Sequence, residues 1–304
     1  MNEFRKIACA ACLVGGVVLA SVASAGQATF AAPEEALAAF GAALAAPDGK
    51  APLELLGDEH RDELIGADPA SARQTMAALR NAAAEAMTLA PGDAPGTVDV
   101  LLGRAGWPMP IPLVQEDDGW VFDTAAGLEE IIDRRIGENE LAAIAAARAY
   151  VEAQRLYGSA DRNGDGVPEF AQRLISTPGE HDGLFWPSAA GEEPSPLAPL
   201  ATSEADYLDY HQTGEPYYGY RFKVLKAQTD HALGGAYEYL INGRMIAGFG
   251  LFAWPADYGS SGIMSFMVNQ LGDVYEADLG DDTAAIAEAT TAFDPTDDWS
   301  LVED

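Results

Sequence analysis

The stretch that most constrains this chain runs from Ala125 to Tyr157, where a helical pattern starts, pauses at Gly137 and resumes at Glu138 with alanines dominating. Small side chains leave a smooth helix surface, so the second part can pack closely against another layer. Tyr150, Gln154 and Tyr157 fall on one side of it, and Arg148, Glu152 and Arg155 on another. Spacings of three and four allow ion pairs of roughly 0.3 kcal/mol each, which marks a solvated face.

Helical and then alternating patterns precede this spine. Pro33 to Ala46 predicts a helix with proline at its start and Glu34 and Glu35 in the first turn, where the helix dipole favours them. A short helix follows at Pro52 to Leu56, and a third over Ala70 to Thr88. Alternation then predicts strands around Val98 to Leu102, Ile111 to Gln115 and Trp120 to Phe122, with Trp107 and Trp120 as core aromatics. After the spine, Pro178 to Pro216 is rich in Pro, Gly, Ser and acids, and reads as a long ordered loop pinned by Phe185 and Trp186. Strands return at Tyr218 to Leu225, and Asn242-Gly243 is a two-residue hairpin signal. Further strands are predicted at Gly248 to Trp254, Ile263 to Asn269 and Asp273 to Glu276, before a last helix to about Ala292. The order implies an α+β fold: N-terminal helices with a small antiparallel sheet over 26–123, then the spine helix and a second antiparallel sheet over 124–304.

The segment after the spine carries the clearest chemistry. Asp161, Asn163 and Asp165 place oxygen-bearing side chains at alternate positions, Gly166 follows, and Glu169 comes next. Calcium takes six to eight oxygen ligands, and a curled loop turns alternate side chains inward. Asp161, Asn163, Asp165, the Val167 carbonyl and Glu169 are therefore the candidate metal ligands, for one Ca²⁺. The twelfth position, where an EF-hand loop has glutamate, is Gln172. The competing reading is an Asx- and glycine-rich turn capping a helix that starts at Pro168 or Glu169.

Residues 1–25 read as an export signal: Arg5 and Lys6, an apolar run from Ile7 to Ala20, and the small-residue site Ala23-Ser24-Ala25. That run is shorter than the ~20 residues a membrane span needs, and no later segment reaches that length. Cys9 and Cys12 lie inside the signal, so the chain beyond it has neither a disulfide nor a thiol nucleophile. The expected location is the periplasm or outside the cell. The formal net charge is −31, and losing Arg5, Lys6 and Glu3 leaves the chain one unit more acidic. Such a surface repels nucleic acid and anionic lipid and attracts divalent cations. The expected partners are a divalent cation and an envelope protein or glycan.

The segments Phe122 to Tyr157, Asp161 to Pro187 and Trp254 to Gly280 resemble an exported bacterial family catalogued as domain of unknown function 2950. That resemblance implies a secreted or periplasmic protein and carries no established activity. The C-terminal half also resembles the globular part of type IV pilins and pseudopilins. The resemblance lies in Ala153-Gln154-Arg155-Leu156-Tyr157, in Gly219-Tyr220-Arg221-Phe222, and in the hairpin from Gly262-Ile263 to Val274-Tyr275. It implies a long helix followed by an antiparallel sheet; a prepilin leader and an apolar assembly helix are missing. The front part more weakly resembles cystatin-like or nuclear-transport-factor-like α+β domains.

Catalytic signals are sparse. His60, His181, His211 and His231 show no zinc-motif spacing. His181 with Asp182 as orienter, and Ser260 or Ser261 as nucleophile, is the one hydrolytic arrangement on offer, and the serines lack the G-x-S-x-G frame. Tyr207, Tyr210, Tyr217, Tyr218 and Tyr220 cluster near a loop-to-strand junction, suited to stacking on a sugar or peptide or to simple packing. No catalytic residue is assigned. The expected function is a non-catalytic exported binding or scaffold protein, calcium-stabilised. An accessory of a pilin-like envelope or secretion assembly is the alternative, with an envelope hydrolase behind it.

Overall fold

The computed structural model describes residues 27–46, 50–65, 69–162, 164–188, 193–198 and 216–303. The segment read as an export signal, Asn163, His211, Tyr207 and Tyr210 lie outside the described residues. The chain divides into two compact units, 1–128 and 129–304.

In the first unit, α1 (Pro33–Ala45) starts with proline and buries Ala36, Phe40, Ala43 and Leu44, one stripe at helical spacing. Arg80, on α4 (Pro69–Glu85), donates to the Leu44 and Ala46 carbonyls at 2.8 and 2.7 Å, so a cation satisfies the C-terminal end of α1. The short helices α2 (Ala51–Leu56) and α3 (Arg61–Ile65) lie between. Against the predicted third helix, α4 stops at Glu85, and Met87–Pro91 is a strand, β1, paired with β2 (Thr97–Leu102). The Gly103 N–H donates to the Ala82 and Ala86 carbonyls and closes the helix there. Helix propensity alone gives no reason to stop, whereas pairing Met87 with Leu102 does.

Among the described residues the first sheet is antiparallel in the order β1-β2-β4-β5, with β4 at Leu113–Glu116, β5 at Gly119–Phe122 and the short β3 (Trp107–Pro108) also on β2. Val100, Leu102, Leu113 and Phe122 bury against Phe40 and Leu44, each such side chain contributing about 1.5–3 kcal/mol. Trp107 is a correction: it is 45% exposed on a two-residue strand at the margin, and Trp120 is half-buried. Alternation places a residue on a face but does not show whether anything covers that face.

The spine is one helix, α5 (Thr124–Tyr157), of 34 residues. Its first turn is capped by the Asp123 carboxylate, which accepts the Ala126 N–H at 3.0 Å. The helix runs through Gly137 without a break, as the continuous spine read over Ala125 to Tyr157 requires. A glycine costs about 1 kcal/mol against alanine, too little to break a helix held on both sides. Gly127 is needed: a Cβ there would come within 2.4 Å of Ile111.

In the second unit the main sheet runs β14-β13-β12-β11-β6, antiparallel throughout. These strands are β6 (Tyr220–Leu225), β11 (Gly250–Pro255), β12 (Met264–Asn269), β13 (Val274–Asp278) and β14 (Ser300–Leu301). Leu251, Ala253, Phe266 and Val268 share one core with Ala147, Tyr150 and Val151 of α5. Phe252 and Met267, the alternate residues, share another with Phe293 and with Ala287 of α6 (Thr283–Ala289). A sheet covered on both faces explains why β11 and β12 are almost continuously buried. Two short pairs flank it: β7 (Ala227–Gln228) with β8 (Tyr237–Glu238), and β9 (Leu240–Ile241) with β10 (Arg244–Met245). Asn242 and Gly243 turn the latter pair with φ of 52° and 83°, as the dipeptide predicts. Of the proline-rich segment, Leu184, Phe185, Trp186 and Leu197 are buried in the α5 core.

Candidate functional site

The C-terminal end of α5 delivers the chain into the 161–169 loop. The Asp161 carboxylate draws that loop round itself. One oxygen accepts the Gly164 and Asp165 N–H groups at 2.9 and 3.2 Å, and the other accepts Gly166 N–H at 2.7 Å. Gly164 and Gly166 have φ of 74° and 88°, which other residues adopt only with strain. Asp165 accepts Val167 N–H at 3.0 Å with one oxygen and is paired through the other with Arg244, from β10.

No helix begins at Pro168 or Glu169, so the loop is not a helix cap; Phe170 N–H goes instead to the Met245 carbonyl at 2.7 Å. Of the sequence-predicted ligands, Asp161, Asp165 and Val167 share the loop, and Glu169 lies where the loop meets a cleft. Among the described residues no three His, Cys, Asp or Glu side chains are placed to hold one ion between them. A carboxylate has about four lone-pair sites. Asp161 uses three of these on the loop's amides, and Asp165 keeps one oxygen on an amide and one on Arg244. The donor set is the hard-oxygen kind that calcium takes, and the curl is formed; Arg244 is the competing cation.

The cleft beside the loop has a volume of about 470 Å³. Tyr157, Arg162, Phe170, Arg173, His181 and Asp182 are among the residues that line it. Arg162 is clamped. Its guanidinium lies 5.0 Å above the Tyr157 ring and 5.5 Å above Trp186, donates to the Tyr157 carbonyl, and pairs with Glu193 at 3.0 Å. The His181 ring stacks on Trp186 at 4.3 Å and 17°. The Tyr157 hydroxyl donates to the His181 carbonyl at 2.8 Å, and burial raises its pKa against the opposing pull of Arg162.

The hydrolytic arrangement is not assembled. Asp182 accepts the Thr177 N–H at 2.7 Å and the Thr177 hydroxyl at 2.8 Å, with Arg173 3.6 Å away. Burial alone would raise the Asp182 carboxyl, but those bonds and Arg173 outweigh it and hold it below the usual range. The carboxylate is thus spent on Thr177 and does not orient the His181 imidazole. Ser261 Oγ donates to the Gly219 carbonyl at 2.8 Å and accepts Asp257 N–H at 3.0 Å, closing a turn. Tyr218 and Gly219 form the tip of that neighbouring turn, with φ of 46° and 69°, and Tyr218 is 44% exposed.

Sequence reading missed three polar junctions. Gln154, fully buried, donates to the Tyr150 hydroxyl and the Ala171 carbonyl and accepts Ala171 N–H. Glu140 accepts both the Ile263 and Met264 N–H groups at 2.9 and 3.0 Å. Asp294 takes the Thr229 hydroxyl at 2.5 Å and the His231 ring at 2.6 Å. The partners in the last two are 123 and 63 residues apart, beyond the reach of any spacing rule.

Among the described residues no helix is long and apolar enough to cross a membrane. No curated protein and no solved structure matches the chain. A family model described as a protein of unknown function (DUF2950) matches residues 27–302, nearly the whole length, and the chain belongs to that family.

Proposed function

We propose that this is an exported, non-catalytic binding protein in which one Ca²⁺ orders the 161–169 loop beside a ligand cleft. The observation that carries the reading is the Asp161 carboxylate, which already gathers three backbone amides of the loop. That leaves the oxygens of Asp161, Asp165 and the Val167 carbonyl on one short curl, with Glu169 following and Asn163 within it. Clustered carboxylates on a chain of net charge −31 repel one another, and a divalent cation relieves that repulsion. Export is supported by Arg5 and Lys6, the apolar run after them and Ala23-Ser24-Ala25.

Calcium that binds only the folded state, at a free concentration a hundredfold above its dissociation constant, adds about 2.7 kcal/mol. For a chain of this size that is a rise in melting temperature of roughly 5–10 °C. Melting curves with calcium, with magnesium and with chelator, on wild type and on Asp161→Ala plus Asp165→Ala, test it. Calcium should raise the wild type alone, and magnesium, which demands a tighter octahedral shell, should do little. An equal calcium shift in both proteins would sink the loop site. Mass spectrometry of the exported protein should find Gly26 at the N-terminus; a retained leader would sink the export reading.

A further inference from the structure

We propose that Asn242 is a self-modification site: the Gly243 backbone nitrogen attacks its side-chain amide, and the product remodels the hairpin that fastens the 165–172 segment. This chemistry goes beyond the calcium reading and does not depend on it.

Asn-Gly occurs twice in the chain, at 163–164 and 242–243. A glycine after the asparagine has no side chain to screen its nitrogen. At 242–243 both residues are exposed, and a Cβ on Gly243 would meet nothing within 4 Å, so the approach is open. Among the described residues neither the Gly243 N–H nor the Asn242 carboxamide has a hydrogen-bond partner. Both reacting groups are therefore free to meet.

The competing steps are held. Gly164 N–H donates to the Asp161 carboxylate at 2.9 Å, and a nitrogen bonded to an anion gives up its proton poorly. Asp165-Gly166 offers a second route to the same kind of ring, but Gly166 N–H is on Asp161 at 2.7 Å, and the Asp165 oxygens are on Val167 N–H and Arg244. The Asn139 amide donates to the Ser261 carbonyl at 2.9 Å, and Asn269 Oδ1 accepts Leu271 N–H at 3.0 Å.

The reaction needs only water. The Gly243 nitrogen passes its proton to hydroxide and bonds to Cγ of Asn242. The Cγ–Nδ2 bond breaks, Nδ2 takes a proton from water and leaves as ammonia, and a succinimide ring closes. Water then opens the ring. Breaking the new N–Cγ bond gives aspartate on the original backbone. Breaking the bond from that nitrogen to the residue-242 carbonyl carbon gives isoaspartate, whose backbone is one methylene longer. Asn242 sits at φ 52°, which aspartate also tolerates, so the aspartate product keeps the turn. Isoaspartate lengthens a two-residue loop whose length sets the pairing of Ile241 with Arg244.

That hairpin is a fastener. The Gly243 carbonyl accepts the Gln172 amide at 2.8 Å, the Met245 carbonyl accepts Phe170 N–H at 2.7 Å, and Arg244 pairs with Asp165. All three ties lie on the turn or the strand after it. Isoaspartate at 242 therefore loosens the 165–172 segment, with Phe170 and Gln172 of the cleft lining.

The test is warm incubation of the purified protein at pH 8 and at pH 5, then peptide mapping with electron-transfer fragmentation, which separates aspartate from isoaspartate. The peptide holding Asn242 should gain about 1 Da, the difference between ammonia lost and water gained. It should do so about tenfold faster than the peptide holding Asn163, and faster at pH 8 than at pH 5. Asn242→Gly, which leaves a turn-forming Gly-Gly pair, should abolish the gain with the melting temperature unmoved. Hydrogen exchange at the Phe170 amide should be about tenfold faster in the isoaspartate fraction and unchanged in Asn242→Asp. The proposal is overturned if Asn242 stays intact, if Asn163 converts as fast, or if Phe170 exchanges no faster in the isoaspartate form.

Discussion

Replacing Gln154 with leucine should be among the most damaging single changes in the second unit. The amide is completely buried on α5 and makes three bonds of 2.8–2.9 Å: two donated, to the Tyr150 hydroxyl and the Ala171 carbonyl, and one accepted from Ala171 N–H. Leucine fills similar volume and makes none of them. Ala171 is 1% exposed, so water cannot replace the lost partners of its N–H and carbonyl. Each orphaned buried group costs roughly 1–3 kcal/mol, and the two together roughly 2–6 kcal/mol. Tyr150 keeps its own bond to the Gly250 carbonyl at 3.0 Å, so it adds little to the loss. Against a typical total stability of 5–15 kcal/mol, a loss of about 4 kcal/mol is severe and lowers the melting temperature by roughly 8–16 °C. Urea unfolding followed by tryptophan fluorescence measures the loss, and hydrogen exchange at the Ala171 amide localises it. A loss under about 1 kcal/mol with the Ala171 amide still protected would refute the reasoning.

Two further predictions concern pH. Burial, and then the nearby Glu140, raises the Glu276 pKa above 4.5. Its stability contribution is therefore full below 4.5 and is lost as pH rises through the folded value. Glu276→Gln should raise the melting temperature at pH 7 and leave it unchanged at pH 4; no gain at pH 7 would contradict this. Hydrogen bonding to Asp294 raises the His231 pKa above 6.5. The stabilisation is thus present below 6.5 and lost as pH rises through the folded value, so His231→Ala should lower the melting temperature more at pH 6 than at pH 9. An NMR titration of the imidazole that placed its pKa at or below 6.5 would remove the basis for that expectation.

What the sequence by itself determined was whatever local spacing encodes. The stripe of Ala36, Phe40 and Leu44, the Asn242-Gly243 turn, the length of α5 and the largely apolar runs of β11 and β12 all depend on neighbours within a turn or two of the chain. The order of those elements was enough for the α+β class and for two separate antiparallel sheets. The same local rules extended α4 through Met87 and expected Trp107 to be covered, because neither helix propensity nor alternation reports what lies opposite. Only the tertiary structure decided that Asp182 serves Thr177 and not His181, that Asp165 faces Arg244, and that Glu140 holds the start of β12. A polar side chain takes whichever donor or acceptor the fold brings within about 3 Å, and that choice rests on long-range packing that no periodicity contains.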